Sequence, residues 1–305
     1  MIYRLFLVAL ALFVCCKMST FANPIIRTKG EAPDIEEIAN REYDTVHGRI
    51  LAVNMATLRK RRLQGTPENP FERIENIDED DDLNLYQGDI QLDEDSEELL
   101  HMPNRTISKR NGISRKAHLW TSRRIPYLVP GHMAHIKGKL LTAFSHFHKH
   151  TCIRFVPYQP GRHKNYIMFD DKKGCSSAIG RAYHITGAQR LSLGSGCQFV
   201  GTIIHELLHA VGFWHEQARP DRDKYVKIYW ENISKGNADQ FTKITSVDTL
   251  GTSYDYDSIM HYDRTAFSKN GKPTIVAIGD EKRKFGSRLL STKDIIEINA
   301  LYDCK

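Results

Sequence analysis

Beyond its opening residues, MIYRLFLVALALFVCC, the chain has no long apolar run, so no later segment suits a membrane span. It contains no internal repeat, which excludes a solenoid or a propeller. Proline and glycine are modest, at 11 and 20 of 305 residues, which excludes a low-complexity or collagen-like chain. Cysteine is scarce. Six are present, and Cys15 and Cys16 lie in the N-terminal apolar run. The segment Ile77 to Leu100 has eleven acidic residues and no basic one. Positive charge elsewhere comes with no nucleic-acid-binding motif, and the leader described next argues against such a partner.

What is present divides the chain. Residues 1–22 read as a secretory signal, with an early basic residue, about a dozen apolar residues and small residues at Thr20 and Ala22. A membrane anchor is the alternative, but the run is short and lacks a stop-transfer flank. The four cysteines that remain, Cys152, Cys175, Cys197 and Cys304, imply two disulfides in a secreted protein, with three possible pairings. Residues 23–110 read as a pro-segment. Its acidic run ends in the dibasic pair Lys109–Arg110, and the chain from Asn111 onward has 29 Lys plus Arg against 17 Asp plus Glu. Cleavage after Arg110 by an activating protease would separate the two parts. The cluster RKRR at 59–62 is either an earlier processing site or an exposed charge run, and the second reading is preferred.

The later region reads as mixed α and β. Ile136, Leu140, Phe144 and Phe147 share one helical stripe, whereas His146, His148 and His150 alternate and are expected at the surface. CIRFVPY and NYIMFD read as strands. Ser291 and Asp294 stand at capping-box spacing before an amphipathic helix. Asn104 and Asn232 head glycosylation sequons, and only the second would persist after processing.

The stretch HELLHAVGFWHE, residues 205–216, carries the chemistry. His205 and His209 lie one helical turn apart and face the same way. Gly212 permits a left-handed turn that ends the helix and returns His215 toward them. Three neutral imidazoles and an open fourth position suit a catalytic zinc ion, one per chain. Glu206 is placed to act as general base for metal-activated water attacking a peptide carbonyl.

HExxH alone turns up by chance, but the full pattern, HExxHxxGFxHE, resembles the zinc signature of the astacin family of metzincin proteases. YDYDSIMHYDRTAFS resembles that family's Met-turn, and NGISRKAHLW, IPY, TCIRF and GCSSAIGR match it as well, so the resemblance covers residues 111–305. It implies an α+β, two-lobed protease domain with a twisted, mostly parallel sheet. The zinc helix would lie in the N-terminal lobe, and substrate would pair along an edge strand. It implies Cys152–Cys304 and Cys175–Cys197 disulfides, Met260 as an apolar floor under the metal, and Tyr262 as an extra ligand. On substrate binding Tyr262 would swing away to stabilise the oxyanion. LYQGDIQL resembles the inhibitory motif, which implies that Asp89 occupies the open metal position and Gly88 allows the close approach. The usual Phe of that motif is Tyr86 here. After cleavage the amine of Asn111 would be buried against Glu216.

Arg264, two residues past Tyr262, is expected near the pocket after the scissile bond, favouring Asp or Glu there. The expected partners are protein or peptide substrates and the activating protease, with no nucleic acid and no membrane anchor. The expected form is a secreted monomer. The rival reading is a binding protein on a silent protease scaffold, and retention of His205, Glu206, His209 and His215 weighs against it. The chain stops after Cys304 without room for further modules, which favours a stand-alone protease.

Overall fold

In the computed structural model, residues 45–64, 85–93, 96–97, 100, 116–172, 174–247 and 249–305 are described. Helix α1 spans Val46–Gln64 and belongs to the expected pro-segment. Val46, Ile50 and Val53 make its buried stripe at i, i+4, i+7 spacing, and His47, Leu51 and Asn54 are buried beside them. Strand β1 is only Ile90–Gln91.

Strand β2 (Arg124–Leu128) leads to helix α2 (Lys137–His150). Leu140, Phe144 and Phe147 of α2 are buried, as is Ile136 just before it, which is the stripe expected from the sequence. Strands β3 (Arg154–Pro157), β4 (Asn165–Asp170), β5 (Cys175–Ala178) and β6 (Gly187–Leu193) follow, then helix α3 (Val200–Val211). The later part is poorer in regular structure. It has a two-stranded β7–β8 ribbon (Val226–Ile228 with Ile275–Ala277) and helix α4 (Thr292–Leu301). The architecture is the α+β one expected.

The sheet order is β1-β5-β6-β4-β2-β3. Every pairing is parallel except β5 with β6. The expected pro-segment contains β1, which covers the edge of β5 with Ile90 opposite Ser177 and Gln91 opposite Ala178. Without β1, β5 would be an edge strand with open backbone groups, the feature that peptide segments use to add a strand.

Helices α2 and α3 pack with this sheet in one core, which Ile298, Leu301 and Tyr302 of the chain end also enter. The Tyr302 hydroxyl donates to the Val211 carbonyl at 2.7 Å, closing the end of α3. The Cys152–Cys304 and Cys175–Cys197 disulfides are both formed, each with a Cα separation of 5.4 Å. The first closes a loop of 152 residues, which corresponds to about 5 kcal/mol in the chain-entropy account. His148 departs from the surface position expected for it. It is half-buried, and its Nε2 accepts from the Phe155 amide at 2.9 Å, tying the end of α2 to β3. Among the described residues no helix is long and apolar enough to cross a membrane.

Candidate active site

Helix α3 is apolar on nearly every side, so burial drives all of it inward and takes its titratable groups along. His205, Glu206 and His209 have no exposed surface. Gly212 ends the helix in the left-handed region (φ 118°), and its amide donates to the carbonyls of His209 and Leu208. The turn brings the Phe213 carbonyl under His209, whose Nδ1 donates to it at 2.8 Å. The chain then returns His215, also fully buried, beside the other two histidines.

All three rings are held by Nδ1. His205 donates to the Ile259 carbonyl at 3.0 Å, and His215 donates to Gln87 Oε1 at 3.0 Å. A proton on each Nδ1 leaves each Nε2 as a lone-pair donor. Those Nε2 atoms converge on Asp89. Its carboxylate oxygens lie 3.1 Å from His205, 3.2 Å from His215 and 3.5 Å from His209, and the His205 and His215 Nε2 atoms are 3.3 Å apart. Four tetrahedral donors at zinc bond lengths stand about 3.3 Å from one another. His209 Nε2 and Asp89 Oδ1 are also buried with no hydrogen-bond partner. Lone pairs facing lone pairs in a dry site lack a stabilising partner, and a divalent cation supplies it. The residues fit zinc.

Electrostatics agree. Burial pushes the His215 imidazole down to about 4 and lowers that of His205 as well, so both are neutral near pH 7. Burial opposes ionisation of Asp89, and cationic charge among the His215, His209 and His205 rings, or a metal ion in their midst, holds its carboxyl well below the usual range. Neutral imidazoles with an ionised carboxylate are the forms a metal requires. Glu206 is buried with neither oxygen bonded, and burial followed by the nearby Asp89 charge raises its carboxyl well above the ordinary value.

The Met-turn lies against this cluster. Met260 is buried, and its carbonyl accepts from the Glu216 amide at 3.2 Å. Asp294 of α4 accepts from Ser258 Oγ at 2.7 Å and from the Ile259 amide at 3.1 Å, while forming a capping box with Ser291. One carboxylate therefore caps the last helix and clamps the loop whose carbonyl orients His205. The capping-box spacing was visible in the sequence, but the clamp was not.

A sequence model of the Astacin peptidase family matches residues 112–303. The chain belongs to the astacin family. It is 45% identical over 199 residues to zinc metalloproteinase nas-7 of Caenorhabditis elegans, covering 64% of this chain and 51% of that protein. Zinc metalloproteinase nas-13 of the same organism is 46% identical over 200 residues, with 64% and 43% covered. The chain thus spans about half the length of these curated relatives. A solved astacin-type structure, the hatching-enzyme zinc-protease high choriolytic enzyme 1 of medaka fish (Oryzias latipes), aligns with TM-score 0.55 at 38% identity, covering 67% of this chain and 99% of that one.

The loop that carries Asp89 into this astacin centre is tight. Tyr86 and Ile90 exchange backbone hydrogen bonds at 3.0 Å, and Tyr86 meets Trp214 edge-on at 6.2 Å. Gly88 has φ 92°, and a Cβ there would stand 3.2 Å from Leu51 and 3.3 Å from Phe267, so glycine is required. Asn54 of α1 fixes the loop. Its Nδ2 donates to the Gly88 carbonyl at 2.8 Å and to that of Cys175 at 2.7 Å, and its Oδ1 accepts from the Cys175 amide.

Tyr262 is buried next to the centre, but its hydroxyl donates to the Gln87 carbonyl at 2.7 Å, and it is outside the four-donor cluster. His47 stacks on its ring at 4.0 Å and stands edge-on to His215 at 4.9 Å, with neither ring nitrogen hydrogen-bonded. Sequence reading missed His47, Asn54 and Gln87, since none belongs to a motif. Glu216 accepts from the Asp255 amide at 2.7 Å and lies 3.4 Å from Arg219, a fully buried arginine that also reaches Asp221 and Glu297. Burial raises Glu216 well above the ordinary carboxyl range. Asn111 and Arg110 lie outside the described residues, as do the signal and Asn104. Arg264 donates to the Glu281 carbonyl at 2.6 Å. Asn232 is half-buried, and its Nδ2, the atom a glycan would use, donates to the Pro273 carbonyl at 2.8 Å.

Proposed function

We propose that the chain is a secreted zinc endopeptidase held latent by its own pro-segment. The observation that carries this reading is the placement of Asp89 between three Nε2 atoms while Glu206 waits unpartnered beside them. Residues 1–22 direct export, residues 23–110 inhibit, and residues 111–305 perform the chemistry. His205, His209 and His215 hold the ion, and Asp89 fills the fourth position until cleavage after Arg110 removes it. A bound zinc ion supplies Lewis acidity, which polarises a carbonyl and acidifies water. Glu206 accepts the proton of the attacking water and returns it to the leaving amine. Tyr262, released from the Gln87 carbonyl, turns its hydroxyl toward the developing oxyanion. The new amine of Asn111 joins Glu216. Substrate takes the β5 edge that β1 covers, and Arg264 favours an acidic residue after the scissile bond.

Glu206→Gln keeps the volume and removes the base. After cleavage at Arg110 it should retain one zinc per chain by elemental analysis and lose at least a hundredfold in kcat on casein, the usual scale for a general base. Undiminished turnover refutes the mechanism and leaves the binding-protein reading equally unsupported. Peptide-library profiling tests Arg264 separately: Arg264→Ala should abolish acidic enrichment at that one position.

A further inference from the structure

From Asn111 to Phe169 the chain has no Asp or Glu, but it has ten lysines and arginines and seven histidines. A third of the basic residues of the protease part thus lie where no carboxylate is near in sequence. The fold gathers several of them at the amino ends of parallel strands β2 and β4. There Arg124, Arg162, His163, Lys164 and Arg181 line a cleft of about 340 Å³, and none of its ten lining residues is acidic. None belongs to the metal cluster.

Arg124, Arg162 and Lys164 are exposed. Among the described residues Arg124 and Lys164 form no ion pair, and the Arg162 guanidinium donates to the neutral Gln159 side chain at 3.0 Å. The floor is held by hydrogen bonds. Arg181 donates to the Ala117 carbonyl at 2.7 Å and to Asn165 Oδ1 at 3.2 Å. His163 Nδ1 accepts from the Gln159 amide at 3.0 Å, which leaves its Nε2 as a donor. Trp120 closes the inner wall, buried, with Nε1 donating to the Ala210 carbonyl at 2.9 Å.

We infer that this cleft binds a sulfated polysaccharide. Like charges brought together without counter-charges repel, and a polyanion relieves the repulsion while releasing its own counterions. Guanidinium forks match the tetrahedral oxygens of sulfate as they match phosphate. Two disulfides belong to an oxidising compartment, where sulfated sugars are available and nucleic acids are not. The inference is independent of the catalytic reading, because binding is read without turnover.

The test uses the full, zinc-loaded chain and a size-defined heparin oligosaccharide, titrated by calorimetry at several salt concentrations. Affinity should fall steeply with salt, and Arg124→Ser/Arg162→Ser/Lys164→Ser should weaken it at least tenfold while leaving casein turnover after activation unchanged. Lys235→Ser/Lys269→Ser/Lys272→Ser removes three exposed charges elsewhere and should change little. Equal weakening by both triple variants means net charge alone attracts the polymer and overturns the site. Unchanged binding by the first variant also overturns it. Polyglutamate or single-stranded DNA of matched charge binding as tightly as the sulfated sugar overturns the ligand class.

Discussion

Two of the three clustered histidines are oriented from within residues 111–305, and the third by Gln87 of the expected pro-segment. His205 rests on the Ile259 carbonyl and His209 on that of Phe213, while His215 donates to Gln87. Under the proposed zymogen reading, the site is complete and still depends on the segment that activation would remove. The first two anchors are backbone carbonyls set by a helix, a glycine turn and a clamped loop. The third is a side-chain amide on a loop that Asn54 of α1 holds in place. In the proposed activation, removal of residues 23–110 would free the fourth metal position and, in the same event, the Nδ1 of His215 and the hydroxyl of Tyr262.

The largest effect is expected at Asp294. Replacing it with Ala strands the Ser258 hydroxyl and the amides of Ile259 and Ser291 in buried surroundings, at roughly 1 to 3 kcal/mol for each unsatisfied group. A loss of about 3 kcal/mol or more should appear in denaturant melts of both the uncleaved and the cleaved protein. A loss confined to one form would mean that the own-domain anchor is not shared by both. Gln87→Ala should act on one form only. Partners that orient a metal-bound histidine are worth about 10- to 100-fold in metal affinity. Competition with a zinc chelator should therefore show that weakening in the uncleaved chain and none after cleavage. The smallest effect belongs to His47→Phe, which keeps a ring on Tyr262 and removes two unbonded nitrogens. Aromatic pairs contribute about 0.5 to 1.5 kcal/mol beyond burial, so thermal melts of the uncleaved chain should move little. A fall of several degrees would show that those nitrogens have partners that matter.

Much of the centre was legible because its residues sit close together in sequence. His205, Glu206, His209 and His215 fall within eleven positions, and helical geometry with one glycine turn is enough to converge them. Met260, Tyr262, Asp89 and the disulfide pairing were legible only through resemblance to a family. The pairing is now seen directly, Asp89 stands among the three imidazoles, and Met260 is buried in the loop whose Ile259 carbonyl meets His205. Tyr262 lies near the cluster but bonded to Gln87. His148 was misread because alternation of histidines says nothing about the strand that packs beside the helix. His47, Asn54 and Arg219 carried no local signal. A buried histidine on helix α1 looks like any polar residue until its neighbours are known.

Short-range pattern by itself determined the catalytic helix, its stop at Gly212, the three imidazoles and the split between an acidic segment and a basic region. Tertiary structure alone decided that β1 covers the β5 edge, that Gln87 anchors His215, and that Asp294 serves a helix and a loop at once. The basic cleft is of the same kind, since residues from Trp120 to Arg181 meet there only through strand pairing. The reason is physical. Periodicity and turn chemistry act over a few residues, whereas burial joins groups 34 to 128 positions apart, and no local rule encodes which of them will share one dry pocket.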